Sequence, residues 1–138
     1  MTYSGHPLAC AAGVACVDYY SKANILDNVQ KVGKVLGEEL EGLKDKHACV
    51  GDVRYIGLFS CVELVKDKAT KEAIVPYGID AAGVMPKIVG MLKERKFMTY
   101  SHENMIFVCP PLIITEEQLK EELAKLDEVL SIVDKEMI

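Results

Sequence analysis

The chain has 138 residues, half of them hydrophobic and 27% charged, which is the balance of one ordinary globular domain. Its formal net charge of −5 argues against nucleic-acid binding, because phosphates need a basic surface. No apolar run reaches the roughly 18 residues of a membrane span, and the start does not read as a secretory signal. We therefore expect a cytoplasmic protein that binds neither nucleic acid nor membranes.

Five cysteines are scattered along the chain without a C-x-x-C pair. Their odd number and spacing argue against a disulfide framework and against a zinc site. Four of them have apolar neighbours and are expected to be buried as small hydrophobic residues: Cys10, Cys16, Cys61 and Cys109.

The first part of the chain predicts two helices. One begins at Pro7, whose fixed φ suits the first helical position, and runs to about Tyr20 with small residues on every side. Such a helix is typical of close packing all round, so an apolar surface should stay exposed when its neighbours are absent. The other helix has Asn24 as a plausible N-cap and an apolar stripe: Ile25, Val29, Val32, Leu36, Leu40 and Leu43.

The pattern then changes to that of strands. Residues 50–65 predict two strands, or one strand with a bulge at Gly57. Shorter elements follow: a loop over 66–83, a helix over 86–95, and strands over 97–100 and 105–108, joined by polar residues 101–104.

The last helix carries the clearest local signal. Thr115 and Gln118 form the glutamine version of a capping box, and a long apolar stripe follows. The order α-α-β-β-α-β-β-α predicts an α+β fold, a small, mostly antiparallel sheet with helices packed on one face. Composition and periodicity alone predict this fold class but no function. The sequence contains no P-loop, G-x-G-x-x-G, G-x-S-x-G or H-E-x-x-H motif.

Three segments resemble the class III, pyridoxal-phosphate-dependent aminotransferases of the ω-aminotransferase type. They are TYSGHPLACAAG at 2–13, VGDVRYIGLFSCVELVKDK at 50–68, and VCPPLIIT at 108–115 before an acidic amphipathic helix. They occur in the family's order and at about its spacing, so the resemblance covers essentially the whole chain as a C-terminal small-domain segment.

The resemblance implies the type I pyridoxal-phosphate fold, a homodimer with active sites at the subunit interface. Residues 1–22 would be a linking helix from an absent N-terminal large domain, and residues 23–138 would be the C-terminal small domain. The lysine that bonds pyridoxal 5′-phosphate would lie upstream of Met1. No catalytic residue is therefore expected here, and the isolated chain should be inactive.

Near the start, the resemblance assigns cofactor contacts. Thr2 matches the threonine that holds the cofactor phosphate of the neighbouring subunit, and Tyr3 and Ser4 match positions beside it. A hydroxyl donor suits a phosphate oxygen. Gly5 would permit a turn, and His6 would cap the helix that Pro7 opens.

Substrate recognition departs from common family patterns. Members that act on amino acids often place a carboxylate-binding arginine at positions that align with Tyr100, His102 or Phe107, and none of these is arginine here. The expected small-molecule donor of the amino group is an ω-amine or ω-amino acid, and the expected acceptor is a 2-oxo acid. The candidate substrate-binding residues are His102 and Tyr100. Arg54 matches a family arginine, for which a buried ion pair is the favoured explanation over a substrate role.

Two alternatives stay open. The chain could be a stand-alone interaction module that associates with a separate large domain, or a structural α+β domain without any cofactor. The small-residue first helix supports the module, because it looks suited to packing against a partner.

Overall fold

The computed structural model describes residues 4–138, and four helices lie within them. Their bounds are α1 Pro7–Lys22, α2 Ile25–Lys46, α3 Val84–Glu94 and α4 Glu116–Glu136. The strands are β1 Val50–Ile56, β2 Phe59–Asp67, β3 Glu72–Ala73, β4 Ser101–His102 and β5 Met105–Val108. The predicted order of elements is confirmed, with β3 as an addition inside the predicted loop.

The strands form one antiparallel sheet in the order β1-β2-β5-β4, and the short β3 pairs with the far end of β2. β1 and β2 form a hairpin, so the two-strand interpretation of residues 50–65 is confirmed. Gly57 lies in the hairpin turn at φ +56, a left-handed conformation that glycine adopts without steric cost. The backbone of this turn also lies close to Gly33 of α2.

The core lies between the sheet and the helices α2, α3 and α4. Alternate residues of the strands point into it, among them Val62 and Leu64 of β2 and Ile106 of β5, all fully buried. The six apolar residues of the α4 stripe are also buried. The α+β fold class is confirmed.

Helix ends explain two differences from the predicted elements. The third helix begins at Val84, earlier than expected, because the Asp80 carboxylate accepts hydrogen bonds from the N–H groups of Val84 and Met85. The predicted strand over 97–100 is wrong. Phe97 turns into the core and donates its N–H to Leu92 at the end of α3, and the strand β4 begins only at Ser101.

The capping predictions have mixed outcomes. The capping box of α4 is confirmed: Thr115 Oγ1 accepts from Gln118 N–H and Gln118 Oε1 accepts from Thr115 N–H. Asn24 and His6 occupy N-cap positions, but neither side chain makes a capping bond. Asn24 has φ 50 at the junction of α1 and α2, a left-handed conformation rather than the extended one that a capping side chain uses.

The expected burial of four cysteines is wrong for three of them. Cys10, Cys16 and Cys109 are exposed, Cys61 is half-buried, and Cys49 is the buried one. The reason is clearest on α1, which buries none of its residues against the rest of the described chain. Leu8 is 74% exposed and Val17 69% exposed, so the expected exposed apolar surface is confirmed.

Candidate open-face site

One side of the sheet faces away from α2, α3 and α4 and is called the open face here. Strand alternation places on it the residues that lie between the buried positions, and the register aligns them across strands. The open face comprises Asp52, Arg54, Ile56, Phe59, Cys61, Glu63, Tyr100, His102, Met105 and Phe107.

The open face has an aromatic end. The rings of Tyr100 and Phe107 have centroids 5.6 Å apart, and those of Phe59 and Phe107 are 6.2 Å apart. Phe107 N–H donates to the carbonyl of Tyr100 at 2.9 Å, which extends the β5 pairing by one residue toward the chain before β4. These rings offer an apolar wall against which an aliphatic chain could lie.

The other end is charged. Arg54 Nη1 lies 2.7 Å from Glu63 Oε2 and 2.9 Å from Asp52 Oδ2. The hydrogen bond to Glu63 is the main cause that raises the pKa of Arg54. Burial opposes ionisation of Asp52, but hydrogen bonds from Lys44 and Arg54 outweigh it and lower the pKa of that carboxyl.

The predicted ion pair of Arg54 therefore exists, but its predicted burial is wrong. The side chain is 49% exposed, because no other described element covers this side of the sheet. Its Nη2 lies 3.3 Å from Met105 Sδ. Both carboxylates use the same guanidinium nitrogen, which leaves Arg54 engaged as a structural cation.

His102 lies on β4 opposite Met105, with more than half of its side chain exposed. Its Nε2 is 3.9 Å from Glu103 Oε1, and Glu103 Oε2 accepts a hydrogen bond from Gly78 N–H at 2.8 Å. The structure brings His102 and Tyr100, both predicted as substrate-binding candidates, to the same face. Phe59 was not among the predicted site residues. Its place beside Phe107 depends on a strand pairing that a single sequence does not specify.

The predicted phosphate contacts are assigned to residues at the start of the chain. Thr2 and Tyr3 lie outside the described residues. Ser4 is exposed in the turn that precedes α1, and Gly5 makes this turn at φ +75, as expected. The first turn of α1 contains no acidic residue and no side-chain cap. The positive end of a helix favours a negative charge, so this segment is compatible with the cofactor's anionic end.

Residues 4–138 were also searched for a metal site and for a membrane-spanning helix. No group of three or more histidine, cysteine, aspartate or glutamate side chains there could hold a metal ion. None of the helices described is both long and apolar enough to cross a membrane.

The fold and this site define an α+β domain with one uncovered face and one uncovered helix. Comparison with known proteins identifies its family: residues 1–130 match the family model "Aminotransferase class-III". The chain therefore belongs to the class III aminotransferase family, as the three sequence segments indicated.

Individual relatives agree with this assignment. The chain is 37% identical to a taurine–pyruvate aminotransferase of Bilophila wadsworthia over 96% of its length, and 34% identical to ethanolamine-phosphate phospho-lyase homolog 1 of Caenorhabditis elegans over 97%. Among solved structures, the taurine:2-oxoglutarate aminotransferase of Bifidobacterium kashiwanohense, in complex with PLP and glutamate, matches all of the chain with 48% identity and a TM-score of 0.95.

These matches cover only part of the relatives. The chain spans 29% of the Bilophila protein, 28% of the Caenorhabditis protein and 31% of the Bifidobacterium chain.

Proposed function

We propose that this chain serves as the C-terminal small domain of an aminotransferase that moves an amino group from an ω-amine or ω-amino acid to a 2-oxo acid. The carrying observation is the match over the whole chain, in sequence and fold, to a taurine:2-oxoglutarate aminotransferase. In this proposal the chain alone is inactive, because the lysine that bonds the cofactor belongs to another part of the enzyme.

Pyridoxal 5′-phosphate, when bound to the complete enzyme, supplies the electron sink for amino transfer. The contribution of this chain is at the phosphate end. Thr2 would donate its hydroxyl to the phosphate in the neighbouring subunit of a homodimer, with Tyr3 and Ser4 beside it. The start of α1 supports this role, because the positive end of a helix favours an anion and its first turn contains no acidic residue.

On the substrate side, the open face would line the part of the active site that receives the end of the donor remote from its amino group. The methylene chain of the donor would lie along Tyr100 and Phe107. Arg54 already binds two carboxylates, so we assign the acid group of the donor to His102, whose side chain is 57% exposed. This geometry favours a donor with a short apolar chain and a terminal acid.

Taurine is the first donor to test, since two of the relatives above are named for it, one with pyruvate and one with 2-oxoglutarate. Both acceptors should be offered to the complete enzyme, with β-alanine, 4-aminobutyrate and a diamine as competing donors. Formation of the amino-acid product from the acceptor supports the proposal. Release of phosphate from ethanolamine phosphate without amino transfer would instead indicate a lyase, as the name of the Caenorhabditis relative suggests.

The role of His102 has a sharper test in the same enzyme. In His102→Gln, KM for an acidic donor should rise by roughly tenfold while KM for a diamine stays unchanged, because one charge-assisted hydrogen bond is lost. Lys87→Gln, at an exposed position of α3, is the control. Equal changes in KM for both donors would contradict acid-group recognition by His102.

The size of the native protein separates the enzyme from the interaction module. An antibody against this domain should detect a protein of about three times 15.2 kDa, given the share of the relatives that the chain spans. A band at 15.2 kDa itself would favour a small domain that binds a separate large domain.

A further inference from the structure

The turn between β4 and β5 carries a carboxylate that no lysine or arginine of the described chain neutralises. Glu103 follows His102 in this turn, and its side chain is only 19% exposed. Among the ion pairs of residues 4–138, Glu103 has a single partner, His102, whose Nε2 lies 3.9 Å from Glu103 Oε1. That distance is too long for a hydrogen bond. A carboxylate so far removed from water is usually paired with a cation, so Glu103 is poorly compensated.

The carboxylates of the neighbouring open face differ in this respect. Arg54 lies 2.9 Å from Asp52 and 2.7 Å from Glu63, and Lys44 lies 3.1 Å from Asp52. Their charges are therefore balanced by side chains of this chain. Glu103 is left as the carboxylate at this edge of the sheet that can take a cation from outside.

The turn holds the Glu103 side chain in a defined place. Gly78 N–H donates to Glu103 Oε2 at 2.8 Å, which occupies one of the two oxygens. The next residue, Asn104, fixes the turn to β2, because it donates from Nδ2 to the Leu64 carbonyl and accepts the Leu64 N–H, both at 2.8 Å. Oε1 is thus a positioned acceptor beside the ring of His102.

The backbone at Glu103 supports a role for its side chain. Glu103 has φ 52, a left-handed conformation that favours glycine or asparagine in a tight turn. Residues with a long side chain keep this conformation mainly where the surroundings or a function require them. The bond to Gly78 accounts for one carboxylate oxygen, and Oε1 remains for another partner.

The aromatic end of the open face leads to this oxygen. Tyr100, whose ring lies 5.6 Å from that of Phe107, is two residues before His102 and on the same face. An aliphatic chain that lies along these rings brings its end group to the pair His102 and Glu103. An ammonium group is a compact cation with three N–H donors, and a carboxylate oxygen accepts from it.

We propose that Glu103 binds the distal ammonium group of a diamine donor, so that the same end of the open face receives either an acid tail at His102 or an ammonium tail at Glu103. This inference rests on the proposed function and extends its substrate class to diamines. The two tails use different side chains, so each substitution should affect one class of donor.

Three donors test the assignment in the complete enzyme. Putrescine is a diamine, butylamine has the same carbon chain without the distal ammonium, and taurine has an acid tail. Glu103→Gln keeps an oxygen that accepts from Gly78 N–H but removes the charge. KM for putrescine should rise by roughly tenfold in this variant, while KM for butylamine and for taurine stays unchanged. Glu94→Gln, the same substitution at an exposed position at the end of α3, is the control.

The matched monoamine separates recognition from a general effect on the fold. Equal increases in KM for putrescine and butylamine would overturn the proposal, because butylamine has no group for Glu103 to bind. An unchanged KM for putrescine would also overturn it. If Glu103→Gln does not fold, Glu103→Gly removes the side chain at a φ that glycine adopts without steric cost, and the same result is expected.

Binding measurements keep this inference separate from the proposed function. A complete enzyme that transfers no amino group from any of the three donors would contradict the proposed function. Calorimetry of putrescine binding to the same protein and to Glu103→Gln then decides the role of Glu103. Binding that is about tenfold weaker in the variant supports the ammonium site, and equal Kd values overturn it.

Discussion

The helices α1 and α4 are both regular and both predicted from sequence, yet they differ completely in burial. α4 buries six apolar residues in the core, whereas α1 buries none against the described chain. Both satisfy their backbone hydrogen bonds locally, so helix formation alone does not reveal whether a helix has neighbours. The difference teaches that a regular helix of this chain need not contribute to its hydrophobic core.

The sequence pattern of each helix already indicates this difference. α4 has an apolar stripe on one side and charged residues on the other, which is typical of a helix that faces one core. α1 has small and apolar residues on all sides, typical of a helix enclosed by neighbours. In the proposed complete enzyme, those neighbours would come from the large domain and the second subunit.

The largest expected effect comes from emptying a core position of α4. Leu126 is fully buried, so Leu126→Ala should lower the free energy of unfolding by about 2–5 kcal/mol through lost burial and a cavity. Leu8→Ala on α1, the same substitution at an exposed site, should change it by less than about 0.5 kcal/mol. Denaturant titration of both variants measures the contrast, and similar losses would show that α1 is packed in the isolated chain.

The next largest effect on stability is expected where α2 lies closest to the β1–β2 turn. A Cβ at Gly33 would lie 2.7 Å from the carbonyl carbon of Gly57, a backbone atom that cannot move cheaply. Gly33→Ala should therefore lower the free energy of unfolding by about 1–3 kcal/mol.

Two glycine controls sharpen this prediction. Gly42 in α2 and Gly13 in α1 have open space around their Cβ positions, so alanine there should stabilise the chain by up to about 1 kcal/mol. If Gly33→Ala stabilised the chain as these controls do, the close approach of α2 to the β1–β2 turn would be wrong.

A smaller effect is expected at the start of α4. Thr115→Ala removes the hydroxyl that accepts from Gln118 N–H and should lower the free energy of unfolding by about 1 kcal/mol. Gln118→Ala removes only the reciprocal bond and should cost less. Thermal unfolding of the two variants distinguishes a working capping box from a helix whose start is stabilised by packing alone.

A substitution on α1 is expected to have the smallest effect on stability but to change the self-association of the chain. The isolated chain should self-associate through this helix, and Val17→Asp should reduce the association while leaving Tm almost unchanged, because Val17 is exposed. Light scattering over a concentration series measures the association. A monodisperse unaltered chain at every concentration would contradict the prediction.

The candidate site was only partly accessible to sequence reasoning. Tyr100 and His102 were selected from the resemblance, and their roles stay predictions, as do those of Thr2, Tyr3 and Ser4. Phe59 could not be selected, because its contact with Phe107 joins residues 48 positions apart through the β2–β5 register. The contacts of the His47 ring with Asp127 and Asp134 were not predicted for the same reason, since these aspartates lie 80 and 87 residues away.

The sequence by itself determined the helices, the extended character of residues 50–65, the capping box of α4 and the family, because these depend on neighbours three or four residues apart, on strand periodicity, or on short motifs. Only the tertiary structure decided the start of β4, the exposure of three cysteines and of Arg54, and the contacts of His47 with two aspartates of α4. Burial and charge pairing depend on which distant residues come together in space, and a local pattern does not contain this information.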